Sequence, residues 1–362
     1  MRAIVAALCV VALSGCTADL QLEPAPPEVT ETAVPALVVQ AMPRDLTSLP
    51  RLRTALPRRI PSDVSALPAL VDDPPGRAIA VYHPPELWPE PVEGWASETL
   101  LFCGVDGEWR RLRMDELGLP DDTWAGHDTY GAGSLSPDGR WWAAHSRDGV
   151  VLLDLRTGTS ETLDVGLRWA SVEWRADSRS FVVGRGGPGR RSGLIELPSL
   201  RRTTLPYQYW QASFAPDGTQ LSLRRTARDR VELLTWDGDR AVSRGQLSLP
   251  GLGSSRDRRP FGAEVTDGRL LTVVQRPPYR TLDLVVVGID SVEVEARLHL
   301  SARDRGKSYR NATWLDPETV LLEIGPGLIA WRPAEAEFFR VMASPTPHNG
   351  FASLRIATDL AR

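Results

Sequence analysis

The side chains best equipped for chemistry in this chain are arginines that come in pairs. Arg190-Arg191, Arg224-Arg225 and Arg258-Arg259, with Arg228 close to the second pair, all fall between strand-like runs. A guanidinium presents a planar fork of donors that fits a carboxylate or phosphate two bonds at a time. Such a set points to recognition of anions by loops. It also has a plainer origin, because Lys307 is the only lysine among 42 basic residues, as a GC-rich coding bias would produce. Trp88 and Trp95, in the acidic loop "HPPELWPEPVEGWAS", are a second candidate contact, aromatic rather than charged. Groups suited to covalent or hydrolytic chemistry are sparse. No G-x-S-x-G nucleophile elbow occurs, and His83, His127, His145, His299 and His348 are scattered without metal-ligand spacing. His145 is the one histidine placed to face a central channel. Gly184 to Gly189 satisfies G-x-G-x-x-G, but a phosphate cradle needs a helix to start there. The next residues are Arg190-Arg191-Ser192-Gly193 and then another strand, so the run reads as a hairpin loop. No cofactor motif and no catalytic set emerges.

The N-terminus carries a more specific signal. Arg2 precedes an apolar run from Ala3 to Leu13, too short to span a bilayer as a mature helix. Leu13-Ser14-Gly15-Cys16 comes next. This resembles the bacterial lipoprotein signal, in which cleavage before the cysteine exposes it for lipid attachment. The resemblance implies a signal peptide at 1–15, palmitate or a similar acyl chain on Cys16, and a site on the extracytoplasmic face of the cell membrane. Two or three acyl chains, at about 0.8 kcal/mol per buried methylene, hold where a single chain is marginal. Once Cys9 is removed and Cys16 is lipidated, Cys103 is the remaining thiol, and "TLLFCGV" reads as a buried position. Residues 16–60 are Pro-rich and lack a sustained period, which marks a semi-extended tether, although its apolar patch "ALVVQAM" is suited to packing on the adjoining domain.

What positions the arginines is a repeat. "GSLSPDGRWWAAHS", "SVEWRADSRSFVVG", "ASFAPDGTQLSLRR" and "ATWLDPETVLLEIG" share one shape: a short strand, a tight turn, a second apolar strand. Leu135, Trp174, Phe214 and Trp314 fall just before the turn, and Asp138, Asp177 and Asp217 recur at intervals of 39 and 40 residues. A third strand such as "GVVLLDLRTG" and a weaker fourth complete each unit. In the third strand Leu152 and Asp154 share one face while Leu153 and Leu155 share the other. Four antiparallel strands every 40–50 residues is the period of a propeller blade, whose two apolar faces are covered only by neighbouring blades. The S-P-D-G turn and the "LLDLRTG" strand resemble WD-repeat-like and TolB-like propellers. The expected fold is therefore all-β: residues 61–362 form a single β-propeller of six blades of four antiparallel strands, with seven as the alternative. Residues 350–358 are expected to close the ring by supplying the first blade's innermost strand.

Function is less legible, because this fold hosts many tasks. The arrangement suggests a membrane-anchored, monomeric binding or scaffold lipoprotein. It would present one basic loop face to a protein or anionic envelope partner, with Trp88 and Trp95 on an acidic sector. A propeller-type hydrolase or lactonase working at the channel is the alternative. Nucleic acid is not favoured, since few aromatics interleave the arginines and the formal charge is −4.

Overall fold

The structure is a computed structural model. It describes residues 37, 39–83, 99–117, 133–146, 149–165, 171–184, 192–205, 213–227, 229–249, 261–276, 281–300, 311–324, 327–343 and 353–362. The chain divides into Met1–Ala36 and Leu37–Arg362, and every described residue lies in the second unit.

Six antiparallel sheets of four strands make six blades of a β-propeller. Five blades run inward to outward in sequence order. The first is completed by the C-terminus: Ser353–Ile356 pairs antiparallel with Ala78–His83, so the last strand supplies the innermost position of blade 1. The innermost strands of the other blades are Ser134–Leu135, Ser171–Trp174, Ser213–Phe214, Phe261–Thr266 and Asn311–Asp316. The innermost strands of blades 1 and 2, 2 and 3, 4 and 5, and 5 and 6 adjoin, as strands set around a common axis do.

Stacking of the blades follows from their two-sided apolar strands. In blade 2, Leu153 and Leu155 pack with Phe102, Leu112 and Trp142 on the blade 1 side, while Leu152 packs with Phe181 and Ile195 of blade 3. Phe102 and Trp142 meet edge to face, with ring centroids 6.0 Å apart. The same division recurs in blade 5. Val285 and Val287 join Leu221 and Leu233 of blade 4, and Leu284 and Val286 join Leu322 and Trp331 of blade 6. Each such side chain is worth roughly 1.5–3 kcal/mol when fully buried, and no blade can realise that alone. The pre-turn tryptophans add a polar stitch. Trp174 donates from Nε1 to the Ser134 carbonyl at 2.9 Å, and Trp314 donates to the Glu264 carbonyl at 3.1 Å. Each thus ties its own innermost strand to that of the preceding blade.

The N-terminal segment departs from a free tether. Val39–Ala41 adds a fifth, parallel strand to the outer edge of blade 5, pairing with Arg297 to His299. Gln40 locks it to blade 6, accepting from Trp331 Nε1 at 2.6 Å and donating to the Pro333 carbonyl at 2.7 Å. Further along, Leu52 donates its backbone N–H to the Arg340 carbonyl at 2.9 Å, and Arg340 N–H donates to the Pro50 carbonyl at 2.8 Å. Arg51 and Arg59 bridge the outer strand Glu337–Ala343 of blade 6. Leu56, Ile60 and Val64 are buried, and Ala69 bridges Arg111 on the outer strand of blade 1. Residues 39–70 therefore form a belt over the outer edges of blades 5, 6 and 1. The boundary drawn at residue 60 falls inside it. Its prolines are compatible with this because the belt needs only occasional edge hydrogen bonds.

The turn of blade 2 is a tight joint in the ring. Ala78 N–H donates to the Gly139 carbonyl at 2.8 Å, and Gly139 has φ +71°. A β-carbon there would run into the Ala78 carbonyl oxygen. Gly139→Ala should therefore cost about 2–4 kcal/mol from backbone strain plus the forced separation of blades 1 and 2. Gly238→Ala, at φ +58° with open space around it, should cost only about 1 kcal/mol. Equilibrium urea unfolding of the two variants checks the difference.

Candidate functional site

The register of the innermost strands brings six residues to one level. Leu135 pairs with Trp142, Trp174 with Phe181, Phe214 with Gln220, Val265 with Leu270, Trp314 with Val320 and Ile356 with Ala80. The residue after Leu135, Trp174, Phe214 or Ile356 donates its N–H to the residue preceding that partner, at 2.8–2.9 Å. These positions are thus structural equivalents. The residue just before each is, from blade 1 to blade 6, Arg355, Ser134, Glu173, Ser213, Glu264 and Thr313. Every one is hydrophilic, in a part of the fold where strand neighbours are apolar. Around the axis, charged side chains on odd blades alternate with hydroxyls on even ones.

Two pairs of charged groups in this ring act on each other electrostatically. Glu264 acts on Glu173 two blades away, and Arg355, two blades away on the other side, acts on Glu264. Both glutamates are half-buried. Burial pushes the Glu173 carboxyl up to about 8, and the nearby Glu264 charge adds to the shift. Among the described residues nothing donates a hydrogen bond to it. Glu264 is also held above the ordinary carboxylate range by burial, offset in part by the Thr313 hydroxyl, Arg355 and the Trp314 N–H. Arg355 donates from Nε to the Gly133 carbonyl at 3.2 Å. Among the described residues, neither glutamate forms an ion pair with a partner at contact distance, nor does Arg355. The ring thus carries a protonated carboxyl, a second carboxyl, a guanidinium and three hydroxyls at one level of the innermost strands. No group of three or more His, Cys, Asp or Glu suited to a metal occurs among the described residues.

Of the residues singled out by sequence, Arg224, Arg225, His145 and Cys103 are among those described. Arg190, Arg191, Arg228, Arg258, Arg259, Trp88, Trp95 and Cys16 lie outside the described residues. Arg224 and Arg225 sit on the second strand of blade 4, Gln220–Ala227, where strand alternation sends them to opposite faces. Arg224 grips Oε2 of Glu232 through Nε at 3.0 Å and Nη2 at 2.5 Å. The Ser243 hydroxyl and Arg224 hold that carboxyl below its ordinary range. Arg225 donates from Nε to the Ala227 carbonyl at 3.1 Å. His145 lies on the second strand of blade 2, Trp141–Ser146, and not on the innermost strand that borders the axis. Gly184 ends one strand of blade 3 and Ser192 begins the next, so the glycine-rich run joins adjacent strands. Cys103 is buried, and burial pushes its thiol up to about 12.

Sequence reasoning also missed a buried charge cluster in blade 5. Asp283, fully enclosed, accepts Arg297 Nε and Nη2 on one oxygen at 2.9 and 2.5 Å. Its other oxygen meets His299 Nδ1 at 2.8 Å. Asp283 and His299 are cross-strand partners that lie 16 residues apart in the sequence.

No family model matches the chain, and no curated protein matches it. Solved structures are similar to the chain at low identity. Hydrazine synthase from Kuenenia stuttgartiensis is 12% identical with a TM-score of 0.41, over 57% of this chain and 64% of that one. The acylaminoacyl peptidase of Pyrococcus horikoshii is 12% identical with a TM-score of 0.41, over 67% of this chain and 41% of the peptidase. The propeller domain of the Trilobed protease from Pyrococcus furiosus is 15% identical with a TM-score of 0.41, over 67% and 76%. The chain spans less than two thirds of the length of the first two.

The raised Glu173 makes stability depend on pH with a defined sign. In the folded chain the carboxyl keeps its proton up to about 8, against an ordinary value of 4.5. Between those values the folded state holds a proton that the unfolded state releases, so stability falls as pH rises through that window. Glu173→Gln removes this term. The variant should melt with the parent at pH 4.5 and above it at pH 8.5, as followed by thermal circular dichroism.

Proposed function

We propose that this chain is an extracytoplasmic binding lipoprotein, anchored to a membrane through lipid on Cys16. Its propeller presents a loop face to a protein or anionic envelope partner. The observation that supports this best is the belt. The chain joins the propeller along outer blade edges, through Val39–Ala41 on blade 5 and residues 51–59 on blade 6. A rim attachment leaves the loop faces on either side of the disc uncovered by this segment, as a docking module requires. The lipobox-like Leu13-Ser14-Gly15-Cys16 supplies the anchor in this reading, and Arg190, Arg191, Arg258 and Arg259 supply the loop charge. Arg224 contributes less, because Glu232 already balances it.

A second reading draws on the axial ring. A hydrolase would use the protonated Glu173 as proton donor and Glu264 as its partner carboxyl. It requires turnover that Glu173→Gln and Glu264→Gln both abolish, assayed on ester, lactone and peptide substrates.

Two measurements test the first reading. Cys16→Ser should abolish incorporation of labelled palmitate and shift the chain from the membrane to the soluble fraction. Crosslinking in the intact envelope should capture a partner that Arg190→Glu, Arg191→Glu, Arg258→Glu and Arg259→Glu together release, with capture in the parent weakening as salt rises. Unchanged capture by the four-fold variant would overturn the basic-face assignment.

A further inference from the structure

We propose that the ring opens between blades 3 and 4, a gate built into the fold that gives access to the axis from the side. The proposal holds whether or not the chain is anchored through Cys16.

Five of the six junctions are sealed by apolar clusters: blades 1 and 2, 2 and 3, 4 and 5, 5 and 6, and 6 and 1. Among the described residues no such cluster fills the junction of blades 3 and 4. Val182 and Leu234 face it, and they are the two buried apolar side chains there that belong to none of the five. The rest of the facing surface is polar. Cross-strand pairing and alternation put Gln220, Ser222 and Glu232 on the face of blade 4 that carries Leu234, and Ser180 on the face of blade 3 that carries Val182. All four are buried. Their opposite faces, through Leu221, Leu233 and Phe181, serve blades 5 and 2. These polar groups find partners inside their own blades. Trp236 donates from Nε1 to Ser222 Oγ at 3.0 Å, Arg224 grips Glu232, and Ser180 Oγ donates to Asp177 at 3.2 Å. Gln220 Nε2 is enclosed with no partner among the described residues. Arg175 spans the junction at its turn end. Its Nη2 donates to the Gly218 carbonyl at 3.3 Å, and its guanidinium lies 4.9 Å from the centre of the Phe214 ring. That end serves as the hinge.

The cost of opening therefore differs around the ring. Parting any of the five sealed junctions exposes an apolar cluster to water, at about 25 cal/mol per Å². Parting blades 3 and 4 leaves the bonds within each blade intact and lets water reach Gln220 Nε2, which relieves an unmade hydrogen bond. The location suits a gate. The C-terminal strand and the belt fasten the junction of blades 6 and 1, and in a ring of six the junction of blades 3 and 4 is diametrically opposite. Residues 39–70 cross blades 5, 6 and 1, so the belt does not bar the opening.

Alkylation of buried thiols by iodoacetamide, resolved by position with mass spectrometry, tests this in the full chain under native conditions. Ser222→Cys places a thiol in the junction of blades 3 and 4. Thr272→Cys places one, also buried, in the junction of blades 4 and 5, between Leu270 and Val274. The thiol at 222 should react roughly 100-fold faster than the thiol at 272, at a rate that low urea leaves nearly unchanged, as a local opening requires. Adding Gln220→Leu, which fills similar space without an unpartnered donor, should slow the reaction at 222 about tenfold. Thermal melts verify folding, and Ser180→Cys repeats the measurement from the blade 3 side should Ser222→Cys fail to fold. Equal rates in the two junctions, a rate in the junction of blades 3 and 4 that follows global unfolding in urea, or one that Gln220→Leu leaves unchanged would overturn the proposal.

Discussion

A thin antiparallel sheet that is apolar on both faces has nowhere to hide them except between two others like itself. The rest of this molecule is built around that requirement. Leu152 and Leu153 are adjacent in sequence yet serve different interfaces, one toward blade 3 and one toward blade 1. Because each blade needs two neighbours, a row of them is satisfied only by returning to its start. The C-terminal strand Ser353–Ile356 completes blade 1 from within. The belt, through Leu56, Ile60 and Val64, fills the outer side of the junction between blades 6 and 1. The ring is thus fastened at its seam from both ends of the folded unit, and Ala55 N–H even donates to the Ala361 carbonyl at 3.2 Å.

Ring closure also creates the site. Strands aligned by a shared turn must put equivalent residues at equal depth, so six positions meet at the axis whatever their sequence separation. Glu173 and Glu264 are far apart along the chain and electrostatically coupled in space. Burial raises the proton affinity of both; Glu264 is offset in part by the Thr313 hydroxyl and the Trp314 N–H of blade 6, whereas Glu173 has no such donor among the described residues. Ionisable groups gathered in this way are where function concentrates in a scaffold otherwise devoted to packing.

The fold was readable because its signals are local. The period of the turn aspartates, the apolar column of Leu135, Trp174, Phe214 and Trp314, and the alternation of the third strands each need only a short window. The site was not read, although its residues lay one column away: Ser134, Glu173, Ser213 and Thr313 immediately precede those apolar residues. What hid it was blade 5, where Val265 stands in the column without an aromatic ring, and blade 1, where Arg355 comes from the far end of the chain. Of the arginine pairs, Arg224 and Arg225 lie on a strand, where adjacent residues point apart, and Arg224 already has Glu232. The apolar patch "ALVVQAM" pointed to the start of the belt, while the proline content of the rest reads as looseness, although an edge that needs few hydrogen bonds tolerates prolines well.

The parallel pairing of Val39–Ala41 with Arg297 to His299 has a mechanical meaning. Tension on the polypeptide at residue 39, directed along that strand, would slide it against its neighbour and strain all the cross-strand bonds together instead of peeling them one after another. Beyond it, the Gln40 side chain and the backbone bonds at Leu52 and Arg340 would share the load with the next blade. A domain pulled from this end would resist being opened far better than one suspended from a single loop.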